Sequence, residues 1–205
     1  MKKPAIILFI ALSNIAKAQE TDSLVTKRWA ISADLNTYFI PDNTFLLPVI
    51  RADKAALHLE ARYNYEDFHT FSAWAGYNFS GGKKLQYTIT PMLGGVIGNS
   101  NGVAPGLELT LGLNKFELYS EQEYLFEFSD KIYNFYYNWT DFTYSPNDWF
   151  WFGISGQRTR LYQTDLEIQR GLLLGGAFKN WEFTGYFYNP GTESPFFILT
   201  LGFSY

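Results

Sequence analysis

From about residue 28 onward the chain alternates apolar and polar side chains with a period of two. Nowhere after its first dozen residues does it hold the long unbroken apolar run that a membrane-crossing helix requires. In Trp29-Ala30-Ile31-Ser32-Ala33-Asp34-Leu35-Asn36 the alternation is clean. Successive strand side chains point to opposite faces, so such a run builds a strand with two unlike surfaces. Leu57, Leu59, Ala61, Tyr63 and Tyr65 share one face of another run, and His58, Glu60, Arg62 and Asn64 share the other. Leu107, Leu109, Leu111 and Leu113 alternate with Glu108, Thr110 and Gly112, and Phe197, Leu199, Leu201, Phe203 and Tyr205 with Ile198, Thr200, Gly202 and Ser204. Helical spacing is weak throughout this region, and an all-β protein follows.

Turn residues divide the region into about twelve runs. These are 28–39, 44–52, 56–65, 69–79, 85–97, 103–113, 116–126, 133–144, 149–158, 168–178, 181–189 and 195–205. Taken alternately, the connections fall into two sets. One is short: Asp53-Lys54-Ala55, Ser80 to Lys84, Asn114-Lys115, Ser145 to Asp148, and Lys179-Asn180. The other contains the longest, Glu127 to Ile132 and Thr159 to Glu167, although Glu66 to Phe68 is as brief as any turn. Tilted membrane strands need about 9–11 residues each, so twelve of them leave about 6 residues per connection. Ten or fourteen strands also fit.

Alternation alone does not say which face is wet. A soluble ligand-binding barrel lines its interior with the apolar face, whereas a membrane barrel inverts the arrangement. Three features favour inversion. Aromatics stand at strand ends on the apolar face: Trp29, Phe39, Phe79, Trp149, Trp181 and Tyr205. Full charges stand in mid-strand on the polar face: Asp34, Glu60, Arg62, Glu108, Glu117, Glu121, Asp141 and Glu182. A closed barrel also removes the sheet edges that would make so many alternating hydrophobics an aggregation hazard.

Composition agrees. Of 205 residues, 20% are aromatic and only 18% charged, against roughly 25% charged in soluble domains. There is no Cys, which removes disulfides, thiolate metal sites and a lipoprotein-type anchor. A net charge of −4 argues against nucleic acid as a partner. Lys2 and Lys3, the apolar stretch Ala5 to Leu12, and Ala16-Lys17-Ala18 read as a secretory signal peptide over residues 1–18. Residues 19–27 would then be a short periplasmic segment and 28–205 the barrel.

The signal peptide, the alternating strands and the final Phe203-Ser204-Tyr205 resemble a Gram-negative bacterial outer-membrane β-barrel protein. The likeness is one of architecture and points to no subfamily. It implies an antiparallel up-and-down transmembrane barrel in the outer membrane, in contact with lipids and lipopolysaccharide. It also implies that Phe203 and Tyr205 form the signal read by the barrel-assembly machinery.

Expected function follows from the polar face. Asp34, Glu60, Arg62, Glu108, Glu117, Glu121, Asp141, Arg170 and Glu182 are expected to line the lumen. Glu117, Glu121 and Glu123 share one strand face with Tyr119, and their repulsion calls for partners such as Arg62, Arg158, Arg160 and Arg170. A narrow porin-like channel for small polar solutes or ions is one reading, and a closed structural or adhesion barrel is its alternative. The longer loops are acidic, with Asp42, Glu66, Asp67, Glu127, Asp130, Asp165, Glu167 and Glu193 against Lys131, Arg158 and Arg160, which would bias the mouth toward cations. A lipid hydrolase would need His58 or His69, the only histidines. His58 belongs near the periplasmic rim, and His69 and Ser72 have opposite strand parity, so neither builds a nucleophile pair. No cofactor or metal motif is present, and a monomer is expected.

The prolines Pro91 and Pro105 fall inside expected strands, where each removes a ladder donor. Gly94, Gly95, Gly171, Gly175 and Gly176 are expected to mark local bends.

Overall fold

The computed structural model describes residues 28–41, 43–159 and 168–205. The expected signal peptide, the segment up to residue 27, and the loop residues Asp42, Arg160, Asp165 and Glu167 lie outside the described residues. Within them the chain forms thirteen β segments, all paired antiparallel. They are β1 (Ala30–Ile40), β2 (Asn43–Lys54), β3 (Leu57–Tyr63), β4 (Phe71–Tyr77), β5 (Phe79–Gly82), β6 (Leu85–Ile97) and β7 (Gly102–Leu113). The rest are β8 (Phe116–Glu127), β9 (Phe135–Asn147), β10 (Phe150–Arg158), β11 (Gln169–Phe178), β12 (Trp181–Tyr188) and β13 (Phe196–Ser204). Each pairs with the next in sequence, except that β4 and β5 both pair with β6. These two are one stave interrupted at Asn78, so the barrel has twelve staves, and β1 closes it against β13 from Ser32↔Ser204 to Phe39↔Phe197.

The prolines explain where pairing falters. Pro91 on β6 lies between Met92, which pairs with Gly76 of β4, and Ile89, which pairs with Phe79 of β5. The donor that proline lacks therefore falls at the break in the neighbouring stave. Pro105 sits where the β7–β8 register passes from Val103↔Phe126 to Gly106↔Glu123 without paired residues between. On β9, Pro146 belongs to an irregularity opposite Trp151, where the register shifts between Phe150 and Phe152.

Two-residue turns join the staves at one rim and longer loops at the other, apart from the β1–β2 connection, which spans only 41–42. The β3–β4 loop spans residues 64–70, longer than the three residues expected, which sharpens the separation of the two rims. Asn64 and His69 hold its ends with positive φ (58° and 53°), and the Asn64 carboxamide oxygen accepts from the His69 backbone N–H.

Parity decides the two faces. Leu57, Leu93, Leu107, Leu172, Leu174 and Phe183 are exposed around the outer wall. The aromatics Trp29, Phe39, Trp149, Trp181 and Tyr205 are also exposed, at the ends of their staves, while Phe79, expected at a strand end, is exposed inside the β4–β5 stave, which runs on to Gly82. In water so much contiguous apolar surface would aggregate, whereas in a bilayer it meets hydrocarbon, with aromatics at the interface. No described helix is long and apolar enough to cross a membrane, and strands do the crossing.

Candidate functional site: the barrel interior

The interior is layered along its axis. Its loop-side half packs aromatic and aliphatic side chains among buried polar ones such as Thr70, Ser100, Gln157, Gln169 and Asn189. Tyr38 stacks on Phe45 at 4.7 Å and Tyr188 on Phe196 at 4.9 Å, while Tyr65 meets Tyr137 across the barrel at 4.8 Å. Leu47, Val49 and Ile198 complete this cluster. A second cluster holds Trp74, Met92, Val96, Ala104 and Leu125.

Below these lies a charged layer centred on Arg62, which is 1% exposed. Its guanidinium carbon lies 4.3 Å from the Tyr65 ring centroid and 4.6 Å from that of Trp74. Such a planar cation stacks on aromatic faces while its edge remains free to donate. The edge donates Nη1 to Glu123 Oε2 (2.8 Å) and Nη2 to Glu60 Oε2 (3.0 Å), and it is ion-paired with Glu121, whose Oε1 lies 2.6 Å from Nη1. Glu60 is on the same strand, but Glu121 and Glu123 come from β8, on the far side of β4, β6 and β7, so the contact spans the lumen.

The turn-side half is acidic. Arg51 on β2 donates to Asp34 of β1 and lies 3.4 Å from Glu60. Tyr119 donates to Glu108 (3.2 Å) and Glu121 (3.1 Å). Asp141 accepts from Trp139 Nε1 (2.9 Å), Tyr186 (3.1 Å) and Ser155. Glu117 and Glu182 also face inward here, half-buried.

Eight of the nine residues expected inside therefore do face inward: Asp34, Glu60, Arg62, Glu108, Glu117, Glu121, Asp141 and Glu182. Arg170 does not. It is exposed, with the parity of Leu172 and Leu174, while its neighbours Gln169 and Gly171 are buried. Its polarity suggested the lumen, but at the loop end of β11 a charge on the outer wall already meets water or headgroups. Phe203 lies on the outward face near the turn rim, and Tyr205 continues the pairing through two backbone bonds to Ile31. His69 is exposed in the β3–β4 loop, not on the strand expected to start there, and Ser72 is fully buried on β4, so strand parity does not relate them.

Three features had escaped the sequence reading. Arg51 was not singled out, although Val49, Arg51 and Asp53 share parity. Asp53 was assigned to a turn, yet β2 runs through Lys54 and carries Asp53 inward to His58. The loop-side aromatic filling had no signal of its own, because both faces of Phe196-Phe197-Ile198-Leu199 are apolar.

An apolar belt outside and a polar, carboxylate-rich interior define a membrane-spanning β-barrel of the outer-membrane type. No protein-family model matches the chain, and no curated protein matches it. Among solved structures, KdgM porin aligns with a TM-score of 0.63 at 16% identity, covering 85% of this chain and 99% of the other. KdgM porin in complex with disordered oligogalacturonate aligns equally well, at 15% identity over the same shares. The outer membrane protein Omp33 of Acinetobacter baumannii aligns at 0.49, with 11% identity over 87% of this chain and 98% of that one. At such identities the likeness is one of fold.

Proposed function

We propose that the protein is a narrow porin-like channel of the outer membrane that favours small cations. The observation that carries this reading is the charge of the inner wall. Among the described residues, Asp34, Asp53, Glu60, Glu108, Glu117, Glu121, Glu123, Asp141 and Glu182 face inward against Arg51 and Arg62. Rings of carboxylates attract cations and repel anions along a pore. One structural neighbour was solved with oligogalacturonate, a chain of carboxylated sugars. The acid surplus here opposes a polyanion, so that solute is not carried over. Shared fold with porins and the apolar outer belt support residence in the outer membrane, with Phe203 and Tyr205 proposed as the assembly signal.

The same interior supports one rival reading. Arg62 with its carboxylates and the aromatic filling close the loop-side half, as a non-conducting scaffold would require. The two are separated by recording the refolded protein in a planar bilayer across a KCl gradient. Discrete single-channel steps with a reversal potential toward K⁺ are expected. Silence at every voltage would favour the closed scaffold, and steps reversing toward Cl⁻ would contradict the charge argument.

A further inference from the structure

His58 on β3 has one ring nitrogen engaged and the other aimed at carboxylates. Its Nδ1 lies 2.9 Å from Asp53 Oδ1. An ionised carboxylate can only accept, so Nδ1 carries the proton, and in the neutral ring the lone pair sits on Nε2. His58 is 3% exposed, and its Nε2 has no hydrogen-bond partner among the described residues. Instead it points between Glu60 Oε2 at 3.6 Å and Glu108 Oε2 at 4.0 Å. All three donor atoms lie within 4.8 Å of one another.

We propose that His58 Nε2, Glu60 and Glu108 form a divalent transition-metal site inside the barrel, with Zn²⁺ the ion the donor set suits best. One imidazole and two carboxylates are borderline-to-hard donors at home on Zn²⁺, with bond lengths of about 2.0–2.2 Å. Tetrahedral donors at that range sit about 3.4 Å apart. Against that, the His58–Glu60 and His58–Glu108 separations need contractions of about 0.2 and 0.6 Å and the two carboxylate oxygens up to about 1.4 Å, which side-chain torsions of the two glutamates must supply. The supporting shell is already built. Asp53 holds the ring as carboxylates hold zinc-bound histidines. Asp53 is held in turn by Asn78 Nδ2 (2.7 Å), whose Oδ1 accepts from Thr90 (2.6 Å). Tyr119 fixes the other oxygen of Glu108. Asn78 is the residue that interrupts the β4–β5 stave, so the break itself serves this shell. Arg62 (Nη2 to Glu60 Oε2, 3.0 Å) and Arg51 (3.4 Å from Glu60 Oε1) already share Glu60, so the ion would sit beside two guanidiniums and would offset the wider excess of inward carboxylates. Access is from the turn side, where the Asp53 and Glu108 side chains keep 21% and 12% of their surface. Glu108 comes from β7, beyond the β4–β5 stave and β6, so an ion here would tie together staves a quarter of the way round the barrel.

The test uses the untagged barrel without residues 1–18, refolded in detergent and titrated with Zn²⁺ by calorimetry, with Co²⁺ as a spectroscopic stand-in. One equivalent of Zn²⁺ is expected, with a visible Co²⁺ absorption of low-symmetry N/O coordination. His58→Ala and Glu108→Gln are each expected to lower affinity at least 100-fold. Asp53→Asn, which keeps all three donors, is expected to weaken binding about 10–100-fold. Folding of each variant is checked by heat-dependent gel mobility. Absence of a stoichiometric site in the wild-type protein, or equal affinity in folded His58→Ala or Glu108→Gln, would overturn the assignment. Because the readout is binding and not conductance, its failure leaves the channel reading untouched, and the reverse also holds.

Discussion

Arg62 is the residue on which the interior turns. Removing one partner of a buried ion pair strands the others, a loss of about 3–5 kcal/mol in proteins generally. Arg62→Met keeps the stem between Tyr65 and Trp74 but leaves Glu60, Glu121 and Glu123 facing one another. Its unfolding free energy from urea titration in lipid vesicles is expected to fall by an amount of that order, and an unchanged value would remove Arg62 from the centre of the interior. Glu66, in the β3–β4 loop outside the membrane span, is a different case. Burial pushes its carboxyl above the usual range. A carboxyl raised in the folded state is more readily protonated there, so its ionisation costs stability as the pH climbs past the ordinary carboxylate range. Glu66→Gln mimics the protonated form and is expected to raise the melting temperature at pH 8 while leaving it unchanged at pH 4. The opposite ranking would show a carboxylate stabilised by its surroundings. Single residues were legible in the sequence as far as parity reached. Glu60 and Glu121 faced inward as expected, but the pairing of Arg62 with Glu123 joins positions 61 apart, and no local pattern carries it.

Among the elements, cross-strand partnership of glycine with aromatics recurs. Trp74 pairs with Gly94, Trp151 with Gly175, and Tyr188 with Gly171. In each pair the ring lies over its partner so closely that a Cβ would meet it at 2.3–2.8 Å. Gly94, Gly171 and Gly175, expected to mark simple bends, therefore seat inward-facing rings, a device that covers a glycine and fixes register at once, whereas Gly95 and Gly176 meet no ring. Adjacent Gly94 and Gly95 allow a clean contrast. Gly94→Ala drives Cβ to 2.4 Å from the Trp74 indole, on which Arg62 rests, while Gly95 has open space. The former is expected to destabilise by about 1–3 kcal/mol through overpacking, the latter to be neutral, as measured by paired urea titrations. Equal effects would mean that Trp74 is free to move aside. The strands themselves were legible because period two persists through most of them. Where both faces turn apolar, as in Leu46-Leu47-Pro48-Val49-Ile50, the pattern loses its contrast, and there the inward filling went unread.

As a whole molecule the barrel has an apolar belt outside, an acidic chamber toward the turns, and an aromatic seal toward the loops. Conduction depends on how that seal behaves, but everything else depends on the belt facing lipid. The absence of cysteine in the chain allows this to be read directly. Single cysteines introduced from Val103 to Leu113 and labelled with nitroxides, in protein folded into vesicles, report collision with oxygen, which concentrates in hydrocarbon, and with a water-soluble nickel chelate. The account expects a period of two, with labels at Leu107, Leu109 and Leu111 reached by oxygen and shielded from nickel, and labels at Glu108 and Thr110 shielded from oxygen. Nickel reaching the leucine positions as freely as bulk water would contradict it.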